Sequence, residues 1–272
     1  MDALEPLTIG ILGCAGRMGR ELVRAVAASP DARLVAALEN SGHAELGTDA
    51  GRLAGLVALG VPLSADLEEA IAKAEALIDF TAPAATLALA RAASRRKRIL
   101  VIGTTGLTQA ERAELAACAI RSPIVHAANM SVGVNLLLGL TRKVAGTLGS
   151  DYDIEILEMH HRGKVDAPSG TALALGKAAA QARGVVFEDV RAPSREGATG
   201  ARKSGAIGFA SLRGGDVVGD HTVIFAGSGE RIELTHRASD RRIYAQGALR
   251  AALWAKDKAP GLYSMQDVLG LS

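Results

Sequence analysis

The stretch Leu7-Thr8-Ile9-Gly10-Ile11-Leu12, followed by Gly13-Cys14-Ala15-Gly16-Arg17-Met18-Gly19, decides the fold class. Six mostly apolar residues are too few for a helix and suit a strand buried on both faces. The glycines then punctuate a turn. After them Leu22, Val23, Val26 and Ala27 recur at helical spacing, until Ser29-Pro30-Asp31 breaks the pattern. A second apolar run, 33–38, stops at Glu39. Strand, glycine turn, helix and strand make one βαβ unit.

The alternation continues outward. Residues 76–80, 98–102 and 123–126 read as strands; 84–94 and 108–120 read as helices, the second capped by Thr108 with Glu111 three residues on. Repeated strand–helix alternation predicts a Rossmann-like parallel sheet with helices on both faces. Residues 41–65 hold several glycines and little periodicity, and are expected to form a loop with one short helix.

The texture then changes. Helices are expected over 136–148, 168–182 and 241–256, and a strand over 152–160. The polar, basic stretch 184–204 reads as a long loop. Residues 207–213, 217–225 and 230–237 read as strands, separated by Gly214-Gly215-Asp216 and Gly227-Ser228-Gly229, both hairpin-type turns. The second half is therefore expected to be an α+β domain with a mixed or antiparallel open sheet, laid out as a meander. The expected division is 1–130 with 240–272 as a dinucleotide-binding domain, and 131–239 as a substrate-binding and oligomerisation domain.

Composition removes several function classes. The chain has 272 residues, 31 glycines and eight aromatics (one Trp, three Tyr, four Phe), so its core must be aliphatic and base stacking is not its mode of binding. The 31 basic and 29 acidic residues leave a formal charge of +2, too little to steer it to nucleic acid or a membrane surface. Two cysteines, Cys14 and Cys118, make neither a disulfide framework nor a four-thiolate metal site. No run approaches the roughly 20 apolar residues of a membrane span, and the first eight residues lack the pattern of a secretory signal, so a cytoplasmic location is expected.

Gly13-x-x-Gly16-x-x-Gly19 differs by one position from the usual G-x-G-x-x-G and is a weak match as a bare string. A tight turn without a ligand is the competing reading. The flanking strand and helix favour a pyrophosphate site on backbone N–H groups. Glu39 lies twenty residues after Gly19, where a carboxylate accepts hydrogen bonds from ribose hydroxyls. That carboxylate repels a 2′-phosphate, and the next residue is Asn40 rather than a cation. NADH use at least equal to NADPH use is expected, with Arg17 leaving dual use open. Gly170 to Lys177 fails the P-loop spacing.

The densest chemistry is Glu158-Met159-His160-His161-Arg162-Gly163-Lys164-Val165-Asp166-Ala167-Pro168-Ser169-Gly170-Thr171. Two histidines, an arginine and a lysine crowd a strand end just before a helix start. Side-chain cations and backbone donors together make an anion site, and histidine can deliver a proton near neutrality. The alternative, a pair of surface histidines, stays open on these residues alone. No ligand spacing for zinc accompanies them.

That run resembles the characteristic segment of the dihydrodipicolinate reductase family, now termed 4-hydroxy-tetrahydrodipicolinate reductase. Residues 13–20, 103–106, 127–131 and 214–222 resemble further segments of the family, so the likeness spans most of the chain. The resemblance implies NADH or NADPH as cofactor, with Gly13, Cys14, Ala15, Gly16, Arg17 and Met18 at its phosphates and Glu39 at its ribose. It implies Gly103, Thr104, Thr105, Ala127, Ala128, Asn129 and Met130 at its nicotinamide. His160 is implied as general acid and Lys164 as its partner. His161, Lys164, Gly170 and Thr171 are implied at the carboxylates of a small dicarboxylate substrate, and Arg241 more loosely at its other end. A homotetramer and a role in the diaminopimelate route to lysine are also implied. Gly163 and Asn40 depart from the family pattern, which many members fill with a bulkier polar residue and some with arginine.

Overall fold

A computed structural model describes residues 5–192 and 195–271. The chain divides into two compact units, Met1–Val132 with Arg241–Ser272, and Gly133–Asp240.

The first unit contains β1 (Leu7–Leu12), α1 (Arg17–Ala27), β2 (Ala32–Leu38), α2 (Ala50–Leu53), β3 (Leu63–Ser64), α3 (Leu67–Lys73), β4 (Ala76–Asp79), α4 (Pro83–Arg95), β5 (Ile99–Ile102), α5 (Gln109–Ala119) and β6 (Pro123–His126). Its strands form a seven-stranded sheet in the order β12-β6-β5-β4-β1-β2-β3, where β12 is Gly261–Tyr263. Every pairing is parallel. The order runs outward from β1 in both directions, so the crevice at the carboxyl ends of β1 and β4 is the topological switch point, where such folds bind ligands.

Why the sheet forms is plain from its strands. Ile9, Ile11, Leu77, Ile78, Leu100 and Val101 are fully buried, as strands covered on both faces require. Separate apolar clusters cover the two faces. One includes Leu22, Val23 and Val26 of α1 with Ala248, Ala251 and Ala252 of a late helix, α9 (Arg242–Ala255). The other includes Leu89, Ala90 and Ala93 of α4 with Leu115 of α5. Thr108 and Glu111 form the reciprocal capping box expected at α5.

The loop expected over 41–65 needs correction. Residues 41–65 contain the short helix α2 and also the edge strand β3, whose two residues pair with Ala37 and Leu38. A helix that had not been expected, α3, follows, capped by Asp66, which accepts the Glu69 N–H at 2.9 Å.

The second unit begins with α6 (Val132–Leu148) and a short 3-10 turn, Gly149–Asp151. It continues with β7 (Asp153–His160), α7 (Gly170–Ala182), α8 (Phe187–Val190), β8 (Arg191–Ala192), β9 (Ile207–Arg213), β10 (Gly219–Ala226) and β11 (Arg231–Ala238). Thus 184–204 is not loop throughout, though 193 and 194 lie outside the described residues. The sheet order is β11-β10-β7-β9-β8, with β7 antiparallel to β10 but parallel to β9. The sheet is mixed, and the meander expectation is overturned. Gly227-Ser228-Gly229 does join a hairpin, β10 to β11. Gly214-Gly215-Asp216 does not, because β9 and β10 lie on opposite sides of β7. That connection crosses the end of β7: Gly214 donates to the His160 carbonyl at 3.0 Å, and Arg162 donates to the Gly215 carbonyl at 3.1 Å. A glycine pair therefore bridges over a strand end here. One face of this sheet is covered by a core of Ile154, Ile156, Leu175, Ala179, Phe209, Val223 and Phe225 with Leu137 and Ala145 of α6. The chain closes with β12 and α10 (Met265–Leu269), which belong to the first unit and had not been expected.

Candidate active site

In the first unit the glycine turn is built for close approach. Gly13 adopts φ +69°, a left-handed conformation that favours glycine. A Cβ on Gly19 would collide with the Gly13 carbonyl and the Cys14 backbone, so the helix start can press against the turn only without a side chain there. Gly16 is the N-cap of α1 and makes no side-chain cap. The amides of the turn itself are occupied: Cys14 N–H bonds the Leu38 carbonyl at 3.0 Å and Gly16 N–H the Gly13 carbonyl at 3.1 Å. The donors that a helix start leaves without an intrahelical partner are then those of Arg17, Met18 and Gly19. This cradle fits a pyrophosphate.

Glu39 follows β2, and its Oε1 accepts the Ala15 N–H at 3.1 Å. The carboxylate is tied to the turn and keeps further lone pairs for hydroxyl donors. Cys14 is buried, and burial, followed by the Glu39 charge, pushes its thiol up to about 12. It is inert packing beside the turn and no nucleophile.

Gly103, Thr104 and Thr105 follow β5. A Cβ on Gly103 would enter the Phe80 ring. The Thr104 side chain is buried: its Oγ1 accepts the Thr81 N–H at 3.1 Å and lies 2.9 Å from Thr86 Oγ1. Asp79, fully buried, accepts the Thr81 and Thr86 hydroxyls at 2.6 and 2.5 Å. This knot joins the ends of β4 and β5, so Thr104 presents backbone rather than hydroxyl to any ligand. Ala127, Ala128, Asn129 and Met130 follow β6. Asn129 Oδ1 accepts the Ser131 N–H at 2.9 Å, and the Met130 carbonyl abuts Gly247 of α9. Arg241 stands at the N-cap of α9, also in the first unit.

In the second unit β7 alternates strictly, with Ile154, Ile156, Glu158 and His160 inward. Two apolar residues are thus followed on the same face by two ionisable ones. Glu158 is 1% exposed. Its Oε2 lies 2.5 Å from His160 Nδ1, and Arg213 of β9 pairs with both oxygens at 2.9 and 3.0 Å. The Ser169 N–H reaches Oε1 at 3.3 Å. Burial raises the Glu158 carboxyl, but the Arg213, Ser211 and His160 bonds outweigh it and hold the group below its ordinary range. Burial lowers His160, against the opposing pull of Glu158. The His160 and His221 rings meet edge to face at 5.1 Å.

The loop after β7 brings Lys164 to Asp166, Nζ to Oδ1 2.7 Å, and Lys164 remains part-exposed. Ser169 caps α7, so Gly170 and Thr171 occupy its first turn. His160, His161, Lys164, Gly170 and Thr171 therefore gather around one strand end and one helix start. Glu158, Arg213 and His221 complete the cluster; sequence reasoning assigned them no role. For Glu158 a signal existed, since it shares the period-2 face of His160. Among the described residues no group of acidic, histidine or cysteine side chains is arranged to hold a metal ion.

The first unit thus carries a glycine cradle tied to the Glu39 carboxylate, and the second a histidine–lysine cluster at a helix start, the layout of a two-domain enzyme of the Rossmann-like class. Residues 7–130 match the family described as dihydrodipicolinate reductase, N-terminus, and 133–269 its C-terminus. The chain is 57% identical over 269 residues to the 4-hydroxy-tetrahydrodipicolinate reductase of Rhodopseudomonas palustris strain BisB18, covering 99% of each. It is 55% identical over 266 residues to that of Roseobacter denitrificans, covering 98% of each. The dipicolinate-bound dihydrodipicolinate reductase of Paenisporosarcina sp. TG-14 shares the fold, with TM-score 0.78 at 23% identity over 96% of this chain and 98% of that one. The chain belongs to the dihydrodipicolinate reductase family, whose members are NAD(P)H-dependent oxidoreductases.

Proposed function

We propose that the protein reduces 4-hydroxy-tetrahydrodipicolinate to tetrahydrodipicolinate in the diaminopimelate route to lysine, with His160 as general acid and Lys164 as stabiliser of substrate charge. The observation that carries this is the cluster of His160, Lys164 and the α7 start around the end of β7. The first unit acts as the dinucleotide-binding domain, and the second as the substrate-binding and oligomerisation domain of a cytoplasmic homotetramer.

Loss of water from the substrate gives a conjugated cyclic imine with two carboxylates. The bound cofactor supplies a hydride to the ring. The electron pair displaced by that addition takes a proton, and His160 delivers it. Lys164 and the amides of Gly170 and Thr171 hold carboxylate charge, an electrostatic task favoured where donors are already oriented. Two carboxylate contacts also fix the ring in place. In the first unit, the Arg17 and Met18 amides hold the pyrophosphate, Glu39 the ribose, and the backbone of Gly103, Thr104, Thr105 and 127–130 the nicotinamide end. Glu39 with Asn40 supports use of NADH at least equal to that of NADPH.

The test is loss of absorbance at 340 nm when the condensation product of pyruvate and aspartate semialdehyde is formed in situ. Substrate-dependent oxidation of NADH is expected. Absence of oxidation with either cofactor overturns the proposal.

A further inference from the structure

Glu158 has no role in the chemistry just proposed, yet it is the most heavily bonded side chain in the cluster. Burying a carboxylate is costly unless its oxygens are satisfied. Here both are: Arg213 takes the two in a fork, Ser169 N–H adds to Oε1, and His160 Nδ1 sits on Oε2. A forked guanidinium fixes direction as well as charge. An ionised carboxylate can only accept, so His160 Nδ1 must carry a proton. The other ring nitrogen, Nε2, is then the only one that exchanges protons with a ligand. It faces Gly219, where a Cβ would stand 3.0 Å away, so any side chain at that position would crowd Nε2.

We propose that Glu158, held by Arg213, is a positioning residue that fixes the His160 ring and tautomer so that Nε2 alone presents the reactive proton. This rests on the reading of His160 as general acid. The second function of Glu158 is electrostatic. The groups facing His160 are Glu158 on its own strand, Lys164 and Asp166 in the following loop, Arg213 on β9 and His221 on β10. Burial, Lys164 and Arg213 all disfavour the imidazolium, and Glu158 is what opposes them. A neutral His160 cannot donate from Nε2 while Nδ1 holds the proton. The acid is therefore the imidazolium, and activity falls as pH rises through its pKa.

The test is the pH profile of kcat for Glu158→Gln beside His160→Gln. Gln keeps an acceptor but removes the charge, so the falling limb is expected to move to lower pH by roughly one unit or more. In nitrogen-detected NMR, His160 should show the Nδ1–H form in the wild type and a mixture in E158Q. Adding E158Q to H160Q should change the residual kcat no further, as coupled residues behave. If H160Q keeps full kcat, the general-acid reading itself fails. If H160Q is impaired but E158Q leaves both limb and tautomer unmoved, the positioning role is overturned. Should E158Q not fold, Glu158→Asp draws the carboxylate back by one methylene. It must then shift the limb in the same direction, and an unmoved limb rejects the role.

Discussion

Ser169 Oγ lies 3.0 Å from His221 Nε2 and at the same time accepts the Ala172 N–H at 3.1 Å. The hydroxyl has a second lone pair and its own proton, and with these it bonds the imidazole nitrogen while it caps the helix. One serine both caps α7 and satisfies a buried histidine. Ser169→Ala should cost about 1 kcal/mol for the lost cap and 1–3 kcal/mol more for the orphaned imidazole nitrogen. Urea denaturation midpoints of the two proteins check this, and an unchanged midpoint contradicts it.

The same histidine makes stability depend on pH. Burial, and next the His160 charge, take His221 down to about 4 from an ordinary 6.5. The folded-state value is the lower one, so the unfolded chain binds the proton more readily. Stability is then complete above pH 6.5 and is lost as pH falls toward 4, by up to about 3 kcal/mol from this group. The denaturation midpoint should fall over that window, and His221→Gln should flatten part of the slope.

Removal of the proposed acid is the direct test of the chemistry. His160→Gln should lower kcat by about 10²–10⁴-fold, the usual worth of a general acid. NADH affinity, read from fluorescence titration, should be unchanged, since the residue lies outside the unit that carries the glycine cradle.

Lys164 carries two proposed tasks, so Lys164→Ala should lower kcat and raise the KM for substrate together. Steady-state kinetics at saturating NADH separates the two constants. A normal KM removes Lys164 from the carboxylate site.

The cradle gives a sharper contrast. Gly19→Ala places a methyl group against the Gly13 carbonyl and the Cys14 backbone, neither of which is a flexible side chain. The turn must move, and NADH binding should weaken by at least ten-fold, about 1.4 kcal/mol. Gly106→Ser, at a position with no neighbour within 4 Å, is strained only by its φ of +83° and should affect binding less.

Much of this architecture is legible in the sequence. The apolar runs ending at Gly13, Glu39 and Gly103 marked parallel strands because strands covered on both faces need continuous aliphatic residues. Thr108 with Glu111 marked a helix start because the cap uses side chains. The misses have physical causes. β3, β8 and β12 have two or three residues, too short for any period, and exist through their neighbours' hydrogen bonds. Asp66 with Glu69 was a cap signal for α3 hidden inside a polar stretch. Gly214-Gly215 satisfied hairpin chemistry, but whether a glycine pair turns back or crosses a strand depends on where β7 lies, which is tertiary information. His160 and Lys164 stood out as cations in a row. Glu158 did not, because the role argued for it depends on Arg213, 55 residues away.

The first unit is discontinuous, its sheet ending in β12 and its α1 face covered by α9. On the ribosome, where domains tend to fold in order of emergence, that order is inverted here. The second unit is complete in sequence by residue 240, while the earlier one still lacks a helix, an edge strand and part of its apolar cover. The nascent chain must therefore carry an open aliphatic face past the birth of its neighbour.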